Sequence, residues 1–226
     1  MVTHTLIVNS IDIHCRRKSI LTGGGLTSST GKVTGLLGNN GSGKSCLFRA
    51  LMGELRAKNL ALSIDGATIP RKDICRYVKY LPQGRMIPPT IKVSRAFDLF
   101  GAEYRSFTSI FPEFAKYHGY AVNGLSSGEI RIIETYLVLM TDSLFCILDE
   151  PFTKIDPYHT DVLRNLIRKC SKERGIIVTD NNYDTISSLV NDLFLLSNGY
   201  IIPVNQQEDL VRYGYFRSSE TALFQV

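Results

Sequence analysis

The sequence predicts an α/β fold: a mostly parallel sheet covered by helices, with an antiparallel β portion on one side and a small helical subdomain. Three observations carry this prediction. Apolar runs of strand length recur at 6–8, 33–37, 60–64, 77–81, 144–148, 176–179 and 193–196, and helix-length segments separate several of them. Two of the runs, Leu144-Phe145-Cys146-Ile147-Leu148 and Gly175-Ile176-Ile177-Val178-Thr179, are apolar at successive positions, as strands buried on both faces are. A glycine-rich loop stands between the run at 33–37 and a helical pattern at 46–52, in the order strand, loop, helix.

The opening portion differs from the rest. Segments through 6–13 and 60–69 read as short and turn-rich, which suggests the antiparallel β portion. Between them lies the loop Gly38-Asn39-Asn40-Gly41-Ser42-Gly43-Lys44-Ser45, which fits G-x-x-x-x-G-K-[ST] at every fixed position. Glycines let successive backbone N–H groups converge on a phosphate, and the helix N-terminus adds a positive dipole end. Lys44 can reach the outer phosphates and the Ser45 hydroxyl can ligate Mg²⁺, while Cys46 opens the helix. The composition changes between Gln83 and Leu125. Pro88-Pro89 breaks the chain, and eight of its 22 Phe and Tyr residues follow at spacings near three and four. Helices with an aromatic face result, either packing a core of their own or leaving part of that face as a partner groove.

Next come Leu125-Ser126-Ser127-Gly128-Glu129 and the apolar helix pattern after Arg131. Ser and Gly ahead of a helix make a second anion site. One γ-phosphate does not need two such sites in one chain; two chains do, if each offers the second to its partner. The run 144–148 then ends in Asp149-Glu150-Pro151, which places a carboxylate at the C-terminal edge of the sheet beside the phosphate loop. There Asp149 can hold Mg²⁺ through water, and Glu150 can polarise a water for attack on the γ-phosphate.

Composition bounds the rest. At 226 residues, 44% hydrophobic and 21% charged, the chain has the make-up of an ordinary globular protein with a sizeable core. No apolar run is long enough to cross a bilayer and no signal-peptide pattern opens the chain. The net charge of +5 is modest, and its one basic cluster, Arg16-Arg17-Lys18, reads as a solvated turn, with an anionic membrane surface or nucleic acid as the minority alternative. No nucleic-acid partner is expected. Five dispersed cysteines and four dispersed histidines make neither a disulfide framework nor a ligand set.

The ordered set of phosphate loop, Tyr80-Leu81-Pro82-Gln83, Leu125 to Glu129, Leu148-Asp149-Glu150-Pro151 and Ile155-Asp156 resembles the ATP-binding cassette (ABC) ATPases, over nearly the whole chain. The resemblance implies a P-loop NTPase of ABC type with two lobes, a core at about 1–83 and 142–226 and a helical subdomain at about 84–141. It implies ATP and Mg²⁺ as cofactors and a head-to-tail dimer that sandwiches each ATP. Gln83 resembles the glutamine that senses Mg²⁺ and the attacking water, and Asp156 the aspartate at the dimer interface. Ser126, Ser127, Gly128 and Glu129 correspond to the signature that grips the partner's nucleotide. Membrane-embedded permease subunits are the implied partners, with the chain cytoplasmic and peripheral on the inner face of the cell membrane. Thr179-Asp180-Asn181-Asn182 and the turn at 195–199 also resemble cassettes of lipopolysaccharide export and branched-chain amino acid uptake, without naming a cargo.

Three positions depart from the family pattern. Ser127 replaces a glycine, with modest consequences unless the position requires φ > 0. The aromatic that stacks on adenine falls near Cys15, a thiol, leaving His14 or Arg16 to substitute. Asn181 stands where the family carries a histidine that contacts the γ-phosphate. A neutral amide in place of a charge-assisted bond is weaker by roughly 1–2 kcal/mol, about 5- to 30-fold in rate. The chain is therefore expected to be an ATP-hydrolysing transporter subunit, slow in isolation. The alternative is a slow or inactive nucleotide switch, either half of a heterodimer or a soluble assembly-type cassette.

Overall fold

The computed structural model describes residues 2–15 and 18–216. Arg16 and Arg17 of the basic cluster lie outside the described residues. The strands are β1 (Thr5–Cys15), β2 (Lys18–Leu21), β3 (Gly23–Gly24), β4 (Leu26–Ser29), β5 (Val33–Leu37), β6 (Asn59–Ile64), β7 (Ala67–Thr68), β8 (Val78–Leu81), β9 (Phe145–Asp149), β10 (Gly175–Asp180), β11 (Asp192–Ser197) and β12 (Tyr200–Val204). The helices are α1 (Lys44–Leu51), α2 (Val93–Phe100), α3 (Tyr104–Ile110), α4 (Ser127–Met140), α5 (Pro157–Ser171), α6 (Tyr183–Ile186) and α7 (Gln207–Arg212).

Seven strands form one sheet in the order β3-β12-β11-β5-β10-β9-β8. Its neighbours run parallel except β11 and β12, which form an antiparallel hairpin. The continuous apolar runs are explained by this sheet's two cores. On one face Val33, Leu37, Cys146, Leu148, Ile176 and Val178 pack against α4 and α5. On the other, Leu36, Phe145, Ile147 and Ile177 meet α1 and the second sheet. Successive strand residues serve opposite cores, so both positions of the two-residue period are apolar.

The second sheet is antiparallel, β2-β1-β6-β7 with β4 also on β1. Here the expectation of short, turn-rich segments needs correction: β1 is a single 11-residue strand. Its fully buried apolar residues are Leu6, Val8, Ile11 and Ile13, with one residue too many between the two pairs. A bulge absorbs that residue. The register against β6 slips between Asn9 and Asp12, and Ser10 takes φ 51°. Without the slip Ile11 and Ile13 would face solvent. At 77–81 the strand begins one residue late, because Tyr77 donates to Ile74 O and closes the preceding 3₁₀ turn.

The aromatic stretch folds as α2, α3 and a 3₁₀ turn at Pro112–Tyr117. Phe97, Phe107, Phe111 and Phe114 are buried, and Phe107 meets Tyr136 of α4 at 4.9 Å. Most of the rings therefore fill a core continuous with the main one, while Leu99 and Tyr120 stay exposed.

Candidate functional site

A cleft of about 1180 Å³ lies over the C-terminal edge of the parallel sheet. Its lining includes Asn39, Asn40, Gly41, Ser42, Gly43, Lys44, Ser45 and Cys46, together with Gln83, Glu150 and Asn181. The tight strand-to-helix turn depends on Gly43, which sits at φ 112° with no room for a Cβ: Ile20 Cγ2 would be 2.7 Å away. No loop side chain caps α1 and no acidic residue lies in its first turn, so its positive end faces the cleft uncompensated. Ser42 Oγ is buried without a hydrogen-bond partner, an orphan that a phosphate oxygen would satisfy. Lys44 is 5% exposed and donates to Gly38 O at 2.6 Å, with Glu150 Oε1 4.0 Å from its ammonium. Burial lowers its pKa, and Glu150, Asp149 and Asp180 partly restore it.

The carboxylates stand opposite. Asp149 is wholly buried at the end of β9, where Thr179 Oγ1 donates to its Oδ1 at 2.7 Å and Tyr80 OH to its Oδ2 at 3.1 Å. Burial first, then Asp149, pushes the Tyr80 hydroxyl far up, so it remains a donor. Glu150 follows at φ 53°, a left-handed conformation that costs a non-glycine residue about 1–2 kcal/mol. Its N–H donates to Thr179 Oγ1 at 3.0 Å, and Gln83 Nε2 donates to its Oε2 at 2.8 Å. The hard oxygens of Ser45, Asp149 and the Gln83 amide suit Mg²⁺ chemically. No cluster of three His, Cys, Asp or Glu residues that could hold a metal occurs among the described residues.

Two residues of this region were invisible as site residues in the sequence. Arg131, 6% exposed, sends Nη1 to Pro82 O at 2.7 Å, Nε to Glu150 O at 3.3 Å, and Nη2 to both Asp149 O and Glu150 O. Glu134, 1% exposed, accepts from the N–H groups of Met86 and Ile87 at 2.7 and 2.9 Å and lies 3.8 Å from Arg131. Their only sequence signal was polarity inside an apolar helix pattern.

The second expected anion site lies at the start of α4. Ser126 Oγ accepts from Glu129 N and Glu129 Oε2 accepts from Ser126 N, a reciprocal capping box. Tyr117 OH donates to the other Glu129 oxygen at 2.6 Å. Ser127 is an ordinary first-turn residue and is absent from the positive-φ positions, so its departure from glycine carries no backbone strain. Gly128 is required by proximity: a Cβ would stand 2.4 Å from Lys154 O. Asp156 caps α5 and binds His159, whose other ring nitrogen contacts Glu113 at 2.6 Å. His159 is thus committed to these two carboxylates and does not line the cleft.

Asn181 reaches the phosphate loop, donating to Asn40 Oδ1 at 2.9 Å. Of the two expected stand-ins for an adenine-stacking ring, His14 bonds Asp12 at 2.6 Å and lines a different cavity, and Arg16 lies outside the described residues. Among the described residues Tyr213 is the aromatic that lines the cleft, anchored by Ser197 Oγ donating to its carbonyl at 3.0 Å. Nearby, Tyr215 OH donates to Asn181 O at 2.9 Å, and burial raises that hydroxyl to about 12.

The chain is similar to known proteins. Residues 21–153 match the ABC transporter family. An ABC transporter ATP-binding protein of Rhizobium meliloti (strain 1021) is 26% identical over 92% of this chain and 82% of its own. The lipopolysaccharide export system ATP-binding protein LptB of Escherichia coli (strain K12) is 28% identical over 78% of this chain and 80% of its own. Among solved structures, the ATP-binding subunit of an ABC transporter superposes with TM-score 0.79 at 19% identity, covering 92% of each chain. A bacterial Atm1-family ABC exporter with ATP bound matches all of this chain and 43% of its own, at TM-score 0.83 and 16% identity. A glycine-turned phosphate loop facing a strand-end Asp-Glu pair, with a family match over more than half its length, identifies the chain as a member of the ABC transporter family, an ATP-binding cassette ATPase.

Proposed function

We propose that this subunit powers a transporter by hydrolysing ATP at the cleft between the phosphate loop and Asp149-Glu150. The backbone of Gly38 to Cys46 cradles the phosphates, Ser42 Oγ gains its missing partner, and Lys44 moves from the Gly38 carbonyl to the outer phosphates. Glu150 accepts the proton of a water attacking the γ-phosphate, with Gln83 holding its other oxygen and Asn181 reaching the same phosphate from the far side. Ser45, Asp149 and Gln83 would hold Mg²⁺, which neutralises phosphate charge when bound. Tyr213 is the ring available to the base.

The same proposal divides the chain into a core lobe, 1–83 with 142–226, and a helical lobe, 84–141. Two copies pair head-to-tail so that Ser126 to Glu129 of each meets its partner's ATP, with Asp156 at the interface. Permease subunits embedded in the membrane complete the transporter, which places this subunit on the membrane's inner face; no helix among the described residues is long and apolar enough to cross it. LptB relatives export lipopolysaccharide; for this chain only transport is inferred.

The observation that carries the active form over a nucleotide switch is the 2.8 Å contact between Gln83 and one oxygen of Glu150, whose other oxygen lies 4.0 Å from Lys44. Steady-state phosphate release tests it, with Glu150→Gln as control. Turnover that Glu150→Gln abolishes is expected; none above the control would favour the switch.

A further inference from the structure

Arg131 and Glu134 occupy one turn of α4, three residues apart, and both are buried. Between them they hold five backbone groups that the chain delivers from two distant segments. One segment ends β9: the carbonyls of Asp149 and Glu150. The other brackets Gln83: the Pro82 carbonyl before it and the Met86 and Ile87 N–H groups after it. Gln83, bracketed by one gripped segment, and Glu150, whose own carbonyl is gripped, meet through their side chains at 2.8 Å.

A guanidinium is the group that can do this. It is planar, permanently charged, and carries five donors in a fixed fork, so it can hold three carbonyls at fixed separation. A lysine ammonium supplies a point charge on a flexible stem. Burial lowers the Arg131 pKa and Glu134 counters it, an arrangement in which the pair is needed to keep a charge inside. Glu150 is held in a left-handed conformation, and such strain persists only where the surroundings over-determine it. Two donors to its carbonyl do so.

We propose that Arg131, braced by Glu134, is a positioning residue for hydrolysis. It fixes the Gln83–Glu150 contact, so a displacement of the 82–87 segment, which leads into the helical region, displaces the catalytic carboxylate with it. Nothing in the pair touches the phosphate loop, so it acts on turnover and leaves nucleotide affinity alone. This rests on the role of Glu150 proposed above.

The test measures kcat, KM and ATP affinity for Arg131→Met, Arg131→Lys and Glu134→Gln, each also in a Gln83→Ala background. Arg131→Met should lose at least about tenfold in kcat with ATP affinity held within about threefold. Arg131→Lys should recover part of it. In the Gln83→Ala background, Arg131→Lys should add little further loss, since both changes break one contact. A purely structural role would lower affinity, kcat and Tm together and multiply with Gln83→Ala; either result overturns the proposal, as does an Arg131→Lys kcat within twofold of wild type. Should Arg131→Met fail to fold, Arg131→Lys and Glu134→Gln decide. If Glu150→Gln itself keeps turning over, the Glu150 assignment has failed; if Glu150→Gln is inactive and the Arg131 variants are not slowed, only the positioning role has failed.

Discussion

The start of α1 and the start of α4 are both serine- and glycine-rich approaches to a helix, and they treat their exposed N–H groups in opposite ways. At α1 the cap is Gly43 at φ 112°, with no side chain bonding back and no acidic residue in the first turn. At α4 Ser126 and Glu129 close a capping box, with Tyr117 holding Glu129 in place. The first end is unfinished without an anion, as the orphaned Ser42 hydroxyl also indicates. The second is complete in the isolated chain. Its Ser126 hydroxyl already accepts a bond yet can still donate one. An anion there adds to a formed structure, which suits a site used only when a second copy brings its nucleotide. A similar sequence texture thus yields an uncapped helix end in one place and a capped one in the other, which fits the roles proposed for them above.

The sharpest break of this comparison comes from the first end. Lys44→Ala should abolish tight ATP binding, while Glu150→Gln keeps binding and loses turnover, measured by equilibrium binding and phosphate release. Equal loss of binding in both would remove the division of labour. At the second end, Glu150→Gln protein should be monomeric alone and dimeric with ATP in sedimentation. Adding Ser126→Ala should weaken that dimer and leave ATP binding by the monomer unchanged. If Ser126→Ala harms monomer binding as Lys44→Ala does, the two ends are not distinct in the way described.

Smaller effects sharpen the contrast. Asn181→His should raise kcat several-fold with little change in KM, because a ring there can share positive charge with the γ-phosphate where the amide cannot. No gain, with ATP binding intact, would favour a nucleotide switch. Ser126→Ala should also cost about 1 kcal/mol of stability in denaturant unfolding, the usual worth of a cap, a loss that α1 cannot suffer. The weakest effect belongs to His159. Burial pushes its pKa down, but the bonds to Asp156 and Glu113 outweigh this and leave it raised. The stabilisation is then fully present below the unfolded value of about 6.5 and fades as pH rises through the higher folded value. The Tm difference between wild type and Glu113→Gln should shrink over that window; one that grows with pH would contradict this role of the His159–Glu113 bond.

Much of this protein was legible from local order along the chain. Strand, loop and helix around Lys44 are consecutive in sequence, so backbone geometry alone assembles the phosphate site, and Asp149-Glu150 follow a strand whose end must lie at the same sheet edge. Partners distant in sequence were not legible. Arg131 meets carbonyls 18, 19 and 49 residues away, and Glu134 meets N–H groups 47 and 48 residues away. Tyr213 enters the cleft from beyond α7, and β1 hides a bulge behind an irregular apolar spacing. Motif spacing by itself determined the chemistry, because phosphate and carboxylate groups need fixed residue types at fixed short distances. Tertiary packing alone decided which buried polar groups hold that chemistry in place. A buried guanidinium or carboxylate takes whichever backbone groups the folded chain brings to it, and no local pattern records them.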